Sequence, residues 1–568
     1  MIRPWRLEDP GIYHLIGVGG LVGLVNAFFR FLVTPVALQR VPRSTIAMAQ
    51  NFEHPFQGLQ FVQRVSGGPR DVLVASSGAK LYTFSVDSGQ RLSVWPQDGA
   101  DTSTANEAGS NPENEGPPEK KRKVDPEEKK VTAAPEKKKT AAWSHIPILT
   151  STPDGEYVVA LTAEDKCIRV FQIEAEGTFL ELSSRPMPKR PCSITFMDNN
   201  EILLGDKFGD VYSMPLIPSA EPRISKAARE HQKRIAATNL TVHTQRNLKS
   251  LEMQKQQAAK KAAAKADKAP EDGPSFEHQL LLGHVSLLTD VAFVSLPSPD
   301  PSSNRKRGYI LSADRDEHIR VSRGPPQAHV IENYCLGHSS FISSLCIPQW
   351  APEILISGGG DPYLLVWNWT AAHVLHKVPL VEETGEGKDV AVRSIWASSF
   401  NLDSSDPTGL ILVALEGYVP TLDSEEYSSN NSSSPTLLSF TLSSDSKLIK
   451  QKPLTITGNV LDVQPHPLDN TLLVSVDSIR EPGSTQDWRS APASSQTLLE
   501  AFTLKQGGQM LEWESAPSAF TDSINAAGTS IVSAGADKKA QTVLNTSLYG
   551  LENLRKKTYG DDDVGSIL

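Results

Sequence analysis

Two consecutive segments decide the fold: Leu281-Leu282-Gly283-His284-Val285-Ser286-Leu287-Leu288-Thr289-Asp290-Val291 and Ile310-Leu311-Ser312-Ala313-Asp314-Arg315-Asp316-Glu317-His318-Ile319-Arg320-Val321-Ser322. The first places a Gly-His pair before an apolar strand, and the second places an acidic tight turn between two further strands. This order is typical of one blade of a β-propeller. The second segment ends on Ser322, where the blade pattern has an aromatic residue, and its turn carries more charge than the pattern requires.

A complete copy of the same pattern follows further along the chain. It contains Gly337-His338, two apolar strands, the turn Gly359-Gly360-Asp361 and a strand that ends on Trp367. Four of its residues match in type and order the hydrogen-bonded tetrad of WD repeats, in which every buried polar group has a partner: His338, Ser357, Asp361 and Trp367. In the first copy the same alignment gives His284, Ser312 and Asp316. The spacing is that of a structural network, so we do not interpret the Ser, His and Asp as a catalytic triad.

Strand-like runs at comparable spacing predict an all-β, seven-bladed WD-repeat β-propeller over residues 48–505. We expect the copy that holds His284 to be blade four and the complete copy to be blade five, with blade three over residues 188–217. Blades six and seven lack the Gly-His and Trp marks and are inferred from strand spacing. Residues 506–568 form a C-terminal tail, which ends in a short amphipathic piece that we expect to pack on the propeller or on a partner.

Two charged insertions interrupt the predicted propeller. Residues 97–142 are polar and predicted to be disordered, and the basic run Lys120-Lys121-Arg122-Lys123 within them is interpreted as a nuclear-import signal. The alternative is a solvated charge run. Residues 219–276 are basic and rich in Ala, Gln and Lys, so they are predicted to be helical or disordered. They are either simply solvated or a non-specific contact to a phosphate backbone.

Residues 1–47 differ from the rest of the chain. Residues 12–38 are apolar and long enough to span a bilayer, but Arg30 in the middle of such a span would be costly. The segment is an anchor, a targeting segment or sequence upstream of the natural start. We expect Met48 to be the working start, and we do not expect a membrane partner.

Composition excludes several classes of function. The net charge of −10 argues against a general nucleic-acid binder, and the four cysteines show neither a CxxC pair nor zinc-ligand spacing. We therefore expect a reducing compartment, no metal and no disulfide scaffold. No glycine-rich loop stands between a strand and a helix, so the sequence predicts a chain without catalytic residues or a cofactor of its own.

Four segments carry a resemblance to a known family: Lys189-Arg190-Pro191, residues 205–213, residues 282–291 and residues 314–322. In the same order, they resemble the non-catalytic WD-repeat subunit of the eukaryotic tRNA (guanine-N7)-methyltransferase in its fungal form. The resemblance is specific over about residues 188–369. It implies a seven-bladed propeller that binds and stabilises a separate catalytic subunit, and the basic run within residues 97–142 leads us to expect this chain in the nucleus. That subunit holds S-adenosylmethionine and methylates N7 of a guanosine in the tRNA variable loop.

The resemblance also implies where the partner binds. In this family a basic residue at the place of Arg320 pairs with an acidic residue of the catalytic subunit. We therefore predict a heterodimer interface at the blade-four turn, with the blade-three turn as its neighbour, formed by Arg320, Arg315, Glu317, Asp316 and Lys207. Three alternatives remain open: a generic nuclear WD-repeat scaffold for another complex, a propeller enzyme with a site in its central channel, and a membrane-tethered propeller.

Overall fold

The structure is a computed structural model, and the residues that it describes belong to one compact unit spanning residues 49–568. The described residues are 52, 54–65, 71–97, 142–219, 253, 276–298, 305–380, 390–402, 407–416, 436–467, 469–489, 497–508, 510–526 and 538–556. The proposed start at Met48, the apolar segment 12–38, the basic run from Lys120 to Lys123 and nearly all of the second insertion lie outside them. Among the described residues, no helix is long and apolar enough to cross a membrane.

Seven antiparallel sheets follow one another along the chain, and the predicted all-β, seven-bladed propeller is confirmed. The strands of blades one to four are β1 (Gly58–Val62), β2 (Val72–Ser77), β3 (Lys80–Ser85), β4 (Arg91–Trp95); β5 (Ile148–Ser151), β6 (Tyr157–Thr162), β7 (Cys167–Ile173), β8 (Phe179–Pro186); β9 (Pro191–Phe196), β10 (Ile202–Asp206), β11 (Asp210–Met214), β12 (Gln279–Gly283); β13 (Leu288–Pro297), β14 (Lys306–Asp314), β15 (His318–Arg323) and β16 (Ile331–Leu336).

Blades five to seven repeat this arrangement. Their strands are β17 (Ile342–Cys346), β18 (Ile354–Gly359), β19 (Tyr363–Asn368), β20 (His373–Pro379); β21 (Ala391–Phe400), β22 (Thr408–Glu416), β23 (Thr436–Leu442), β24 (Leu448–Lys450), β25 (Leu454–Thr455); β26 (Asn459–Pro465), β27 (Thr471–Asp477), β28 (Leu499–Gln506) and β29 (Leu511–Ser515). Blade six has a fifth strand because both β24 and β25 pair with β23.

The predicted limits of blade three are too short. Strand β12 pairs with β11 and is the outer strand of that blade, although the second insertion separates the two strands in sequence. Gly283 therefore ends blade three and His284 begins the connection to blade four. This places the Gly-His pair at the junction between two blades.

Apolar side chains fill the gaps between neighbouring blades and close the ring. The cluster between blades four and five includes Leu311, Val321 and Trp367. The cluster between blades seven and one includes Leu473 and Leu73. The innermost strands are also joined through buried carboxylates.

Asp290 of β13 joins three consecutive blades. It accepts hydrogen bonds from the Ser193 hydroxyl (2.8 Å) and from the Leu345 N–H (2.8 Å). Asp462 of β26 closes the ring by accepting the N–H of Leu59 (2.7 Å). Both carboxyl groups are buried, and their hydrogen bonds offset part of the cost of that burial.

The C-terminal tail packs on the propeller, and its last described residues reach the face that carries the β14–β15 and β18–β19 turns. It contains helix α1 (Ala519–Ala526), helix α2 (Lys538–Leu548) and a 3₁₀ helix (Leu551–Leu554). Leu544 and Leu548 of α2 are buried against Leu461 and Ile479 of blade seven. The amphipathic end of the chain therefore packs on the propeller itself.

Candidate partner-docking site on blades three and four

The blade-five residues of the predicted tetrad form one chain of hydrogen bonds. The Trp367 Nε1–H donates to the Ser357 Oγ (2.8 Å), which lies 2.7 Å from His338 Nε2, and His338 Nδ1 lies 2.7 Å from an Asp361 carboxylate oxygen. Because an ionised carboxylate only accepts hydrogen bonds, His338 carries its proton on Nδ1 and Ser357 donates to Nε2. All four side chains are buried, so this network is structural.

Blade four keeps the histidine and the serine but uses a different aspartate. His284 Nε2 lies 2.7 Å from Ser312 Oγ, and Nδ1 lies 3.3 Å from Asp314 Oδ2. The prediction that Asp316 fills this role is wrong. Asp314 also accepts the N–H groups of Asp316 (2.9 Å) and His318 (3.1 Å).

The position of blade five that aligns with Asp314 is Gly359. A Cβ there would run into the carbonyl oxygen of Phe341, so blade five places its aspartate two residues later. Blade three resembles blade four in this respect, because Asp206 accepts the N–H groups of Phe208 (2.7 Å) and Asp210 (3.2 Å). Asp206 and Asp314 stand at the same position of their turns, and this shared position was the sequence signal that could have identified Asp314 instead of Asp316.

Arg320 occupies a position at which blade five buries a leucine. Strand pairing places Arg320 opposite Ser312, as it places Leu365 opposite Ser357. The Arg320 Nε donates to the Ser322 hydroxyl (3.0 Å), and Nη1 donates to the Gly283 carbonyl (3.1 Å). The sequence predicted no structural role for Arg320, and these two hydrogen bonds correct that prediction.

The electrostatic setting of Arg320 is unusual for an arginine. Its side chain is half-buried, and burial lowers the pKa of the guanidinium. Within the described ranges no carboxylate lies at ion-pair distance from it. A partly desolvated cation without an anionic neighbour is suited to receive a carboxylate from another molecule.

Large apolar side chains are exposed around this arginine. Tyr334 is directly opposite Arg320 on β16 and is 45% exposed, Leu336 is 60% exposed and Phe208 is 65% exposed. Val285 in the connection between blades three and four is fully exposed. We call Arg320, Phe208, Val285, Tyr334 and Leu336 the docking surface, because a cluster of exposed apolar groups with a charged centre marks an interaction site.

Lys207 lies beside the docking surface, in the β10–β11 turn, and lines the mouth of a central cavity of about 510 Å³. Burial, followed by the neighbouring Arg190 guanidinium, lowers the pKa of Lys207. Arg190 contacts the buried His145 (Nη2 to Nε2, 3.0 Å). The Lys189 Nζ lies 4.8 Å from the centre of the Phe208 ring and 3.0 Å from an Asp210 carboxylate oxygen, so a lysine–aspartate pair borders the docking surface toward blade three.

The other three predicted partner residues face the tail of this chain. The Arg315 Nε donates to the carbonyl of Leu554 (2.7 Å), and Lys556 Nζ pairs with Glu317 (2.7 Å) and Asp316 (3.1 Å). The five predicted residues therefore do not form one site. Arg320 lies on the docking surface, Lys207 at the cavity mouth, and Arg315, Asp316 and Glu317 under the tail.

The described residues show no arrangement that would hold a metal ion, since no group of three or more His, Cys, Asp or Glu side chains converges among them. The four cysteines are unpaired, and three of them are buried. What the site offers is a cationic and apolar surface for binding another macromolecule.

The seven four- and five-stranded sheets and the blade-five tetrad define a WD-repeat β-propeller. The family model described as the tRNA methyltransferase TRM82 WD40 domain matches residues 73–502. The chain belongs to this family, and the identification of the family from the sequence is confirmed.

Curated relatives agree with this assignment. An Aspergillus oryzae protein is 49% identical over 522 residues, covering 91% of this chain and all of the relative. A Coccidioides immitis protein is 40% identical over 531 residues, covering 87% and 96%. Both are named as the tRNA (guanine-N(7)-)-methyltransferase non-catalytic subunit. Among solved structures, the WD40 repeats of RRP9 align at 12% identity with a TM-score of 0.44, covering 79% of this chain and 94% of that one.

Proposed function

We propose that this chain is the non-catalytic subunit of a tRNA (guanine-N7)-methyltransferase, and that it binds and stabilises the catalytic subunit through the docking surface. Membership in a family of non-catalytic subunits supports an accessory role with a catalytic partner. In this proposal the partner holds S-adenosylmethionine, and tRNA reaches this chain only as part of the complex. A nuclear place of action is supported by the basic run from Lys120 to Lys123, and fluorescence microscopy of a tagged chain tests it.

The observation that carries the proposal is the environment of Arg320. Its guanidinium is half-buried, is held by the Gly283 carbonyl and the Ser322 hydroxyl, and is surrounded by exposed apolar side chains. These groups would exclude water once a partner covered them, which strengthens an ion pair to a partner carboxylate. Truncating one member of such a desolvated pair costs about 2–5 kcal/mol, or roughly 30-fold or more in affinity.

The test is co-purification of the co-expressed catalytic subunit with Arg320→Glu. We expect the substitution to abolish the complex, because it places a carboxylate opposite the partner's acidic residue. Arg323→Glu is the matched control: Arg323 lies on the same strand, but its guanidinium pairs with Glu332 of the same blade. The control should retain the partner.

Folding must be checked separately, because Arg320 also makes two hydrogen bonds within the propeller. Circular dichroism and the melting temperature of each purified variant provide this check, and Arg320→Lys should recover part of the binding. Normal co-purification of a folded Arg320→Glu protein would place the interface elsewhere.

A further inference from the structure

Residues 549–556, here called the C-terminal strap, cross the propeller face from blade seven to blade four. The near end is fixed on blades six and seven. The Tyr549 hydroxyl donates to Asp477 (2.7 Å), and the N–H groups of Gly550 and Leu551 both donate to Glu416 (3.2 and 3.3 Å). The ring of Tyr549 also lies under the guanidinium of Arg480, at 4.9 Å. This end is firmly held by buried and charge-assisted bonds.

The far end reaches blades five and four. The Arg555 guanidinium donates to the carbonyls of Gly360 (3.1 Å) and Val390 (3.2 Å). In the opposite direction, the Arg315 guanidinium donates to the carbonyls of Leu554 (2.7 Å) and Arg555 (3.3 Å). Arg555 therefore fixes the strap to blade five and to the residue before β21, and Arg315 joins the strap to the blade-four turn.

Lys556 ends the strap between two carboxylates of the blade-four turn. Its Nζ lies 2.7 Å from Glu317 and 3.1 Å from Asp316, and the hydrogen bond to Lys556 is the largest cause that lowers the pKa of Asp316. Glu317 has a φ of 69°, a left-handed conformation that is unfavourable for a residue with a side chain. The turn leads directly into β15, which carries Arg320 three residues later.

The charges of this region set what partner it can accept. Between positions 314 and 320 the chain carries two arginines against Asp314, Asp316 and Glu317, a sum of −1 with His318 neutral, and Lys556 brings this sum to zero. The hydrogen bonds of Arg320 go to Ser322 and Gly283, so the strap takes neither of them. The strap binds Arg315, Asp316 and Glu317 of the turn, and Arg320 remains on the docking surface.

We propose that the C-terminal strap is a positioning element of the docking surface: Lys556 pairs with Asp316 and Glu317 and fixes the turn, so that blade four presents Arg320 to an acidic patch on the catalytic subunit without an excess of negative charge beside it. This inference rests on the proposed function. It makes Lys556 and Arg315 positioning residues that act on the partner through the turn, while Arg320 contacts the partner directly.

The experiment uses the full chain and the purified catalytic subunit, with affinity measured by biolayer interferometry at low and moderate salt. Lys556→Glu should weaken binding about tenfold, which corresponds to about 1.4 kcal/mol, and the loss should be larger at low salt. The conservative Lys556→Arg should bind normally. A charge exchange that combines Lys556→Glu with Asp316→Lys and Glu317→Lys should restore binding, which a purely structural loss would not do.

The control is Lys447→Glu on blade six. Lys447 is 58% exposed and pairs with Asp445, whereas Lys556 is 51% exposed, so the two lysines are comparable in exposure and pairing. Hydrogen exchange of the free protein provides a second measurement, and Lys556→Glu should speed exchange in residues 551–555 without changing the melting temperature.

The outcomes separate this inference from the proposed function. Unchanged binding by Lys556→Glu, or tighter binding, would overturn the inference; tighter binding would mean that the strap competes with the partner. If Arg320→Glu also bound normally, the docking surface itself would be misplaced. If Arg320→Glu abolished binding and Lys556→Glu did not affect it, only the role of the strap would fail.

Discussion

Removing the central hydroxyl of the tetrad should cost more in blade five than in blade four. In blade five the Ser357 Oγ accepts from Trp367 and donates to His338, so Ser357→Ala leaves a buried donor and a buried acceptor without partners. In blade four Ser322 replaces the tryptophan. Ser312→Ala therefore removes only the bond to His284.

The expected magnitudes follow from the number of groups left unpaired. A buried polar group without its hydrogen bond costs about 1–3 kcal/mol. With two groups left unpaired, Ser357→Ala should therefore lower the free energy of unfolding by about 2–6 kcal/mol, and Ser312→Ala, with one, by about 1–3 kcal/mol. The cavity left by one hydroxyl oxygen is small in both cases and comparable between them, so it cancels in the comparison.

Urea unfolding followed by tryptophan fluorescence measures both variants against the unsubstituted protein. Hydrogen exchange of β18 and β14 shows whether each loss is confined to its own blade, which matters because a propeller of this size need not unfold in one step. Equal costs for the two substitutions, or a larger cost in blade four, would refute the assigned direction of the bonds and the role of Trp367.

Two further predictions concern buried ionisable groups. Burial raises the pKa of Asp290 and Asp462 to about 6. Because this lies above the unfolded value of about 3.9, the folded state keeps a proton between about pH 4 and pH 6 that the unfolded state has lost. The stability that each carboxyl group contributes therefore falls as the pH rises from about 4 to 6. The cost of Asp290→Asn should therefore shrink by about 2–3 kcal/mol between pH 4 and pH 7, and a cost that does not vary with pH in thermal melts would contradict this. Burial also raises the pKa of Cys192, Cys335 and Cys346 to about 12. A thiol-reactive disulfide reagent at pH 8 should therefore label the native protein slowly, and it should label all four cysteines after unfolding. Fast labelling of the folded chain would show that these thiols are accessible.

The sequence predicts those parts of the fold whose signals are local. The Gly-His pair, the serine and the Trp of blade five lie within one repeat, so their spacing identifies the network. Strand β12 was assigned to the wrong blade because the second insertion separates it from β11, and pairing between distant strands leaves no local pattern. The choice of Asp316 over Asp314 was wrong for a different reason. Alignment by residue number does not show which position of a turn brings a carboxylate within hydrogen-bonding distance of the histidine.

The candidate site was predictable only in part. Arg320 was identified through the family resemblance and stands on the docking surface. The contacts of Lys556 with Asp316 and Glu317 join residues far apart in sequence, and no periodicity or motif links them. The exposed apolar neighbours of Arg320 were also missed, because Phe208, Val285 and Leu336 belong to turns and an outer strand, where an apolar residue is unremarkable until its exposure is known.

The irregular ending of blade four explains how this surface arises. In blade five the Trp367 ring packs against Gly337, and the neighbouring Leu365 is buried beside it. In blade four the residue aligned with the tryptophan is Ser322, whose hydroxyl, together with the carbonyl of Gly283, provides acceptors for an arginine at the leucine position. An arginine has five N–H donors, so these two bonds leave others directed to the outside. A tryptophan at position 322 would occupy the Gly283 side and leave the guanidinium without either acceptor. The serine that stands in place of the tryptophan therefore allows blade four to hold, at its surface, a cation that no carboxylate of the described residues pairs with, where a partner can supply one.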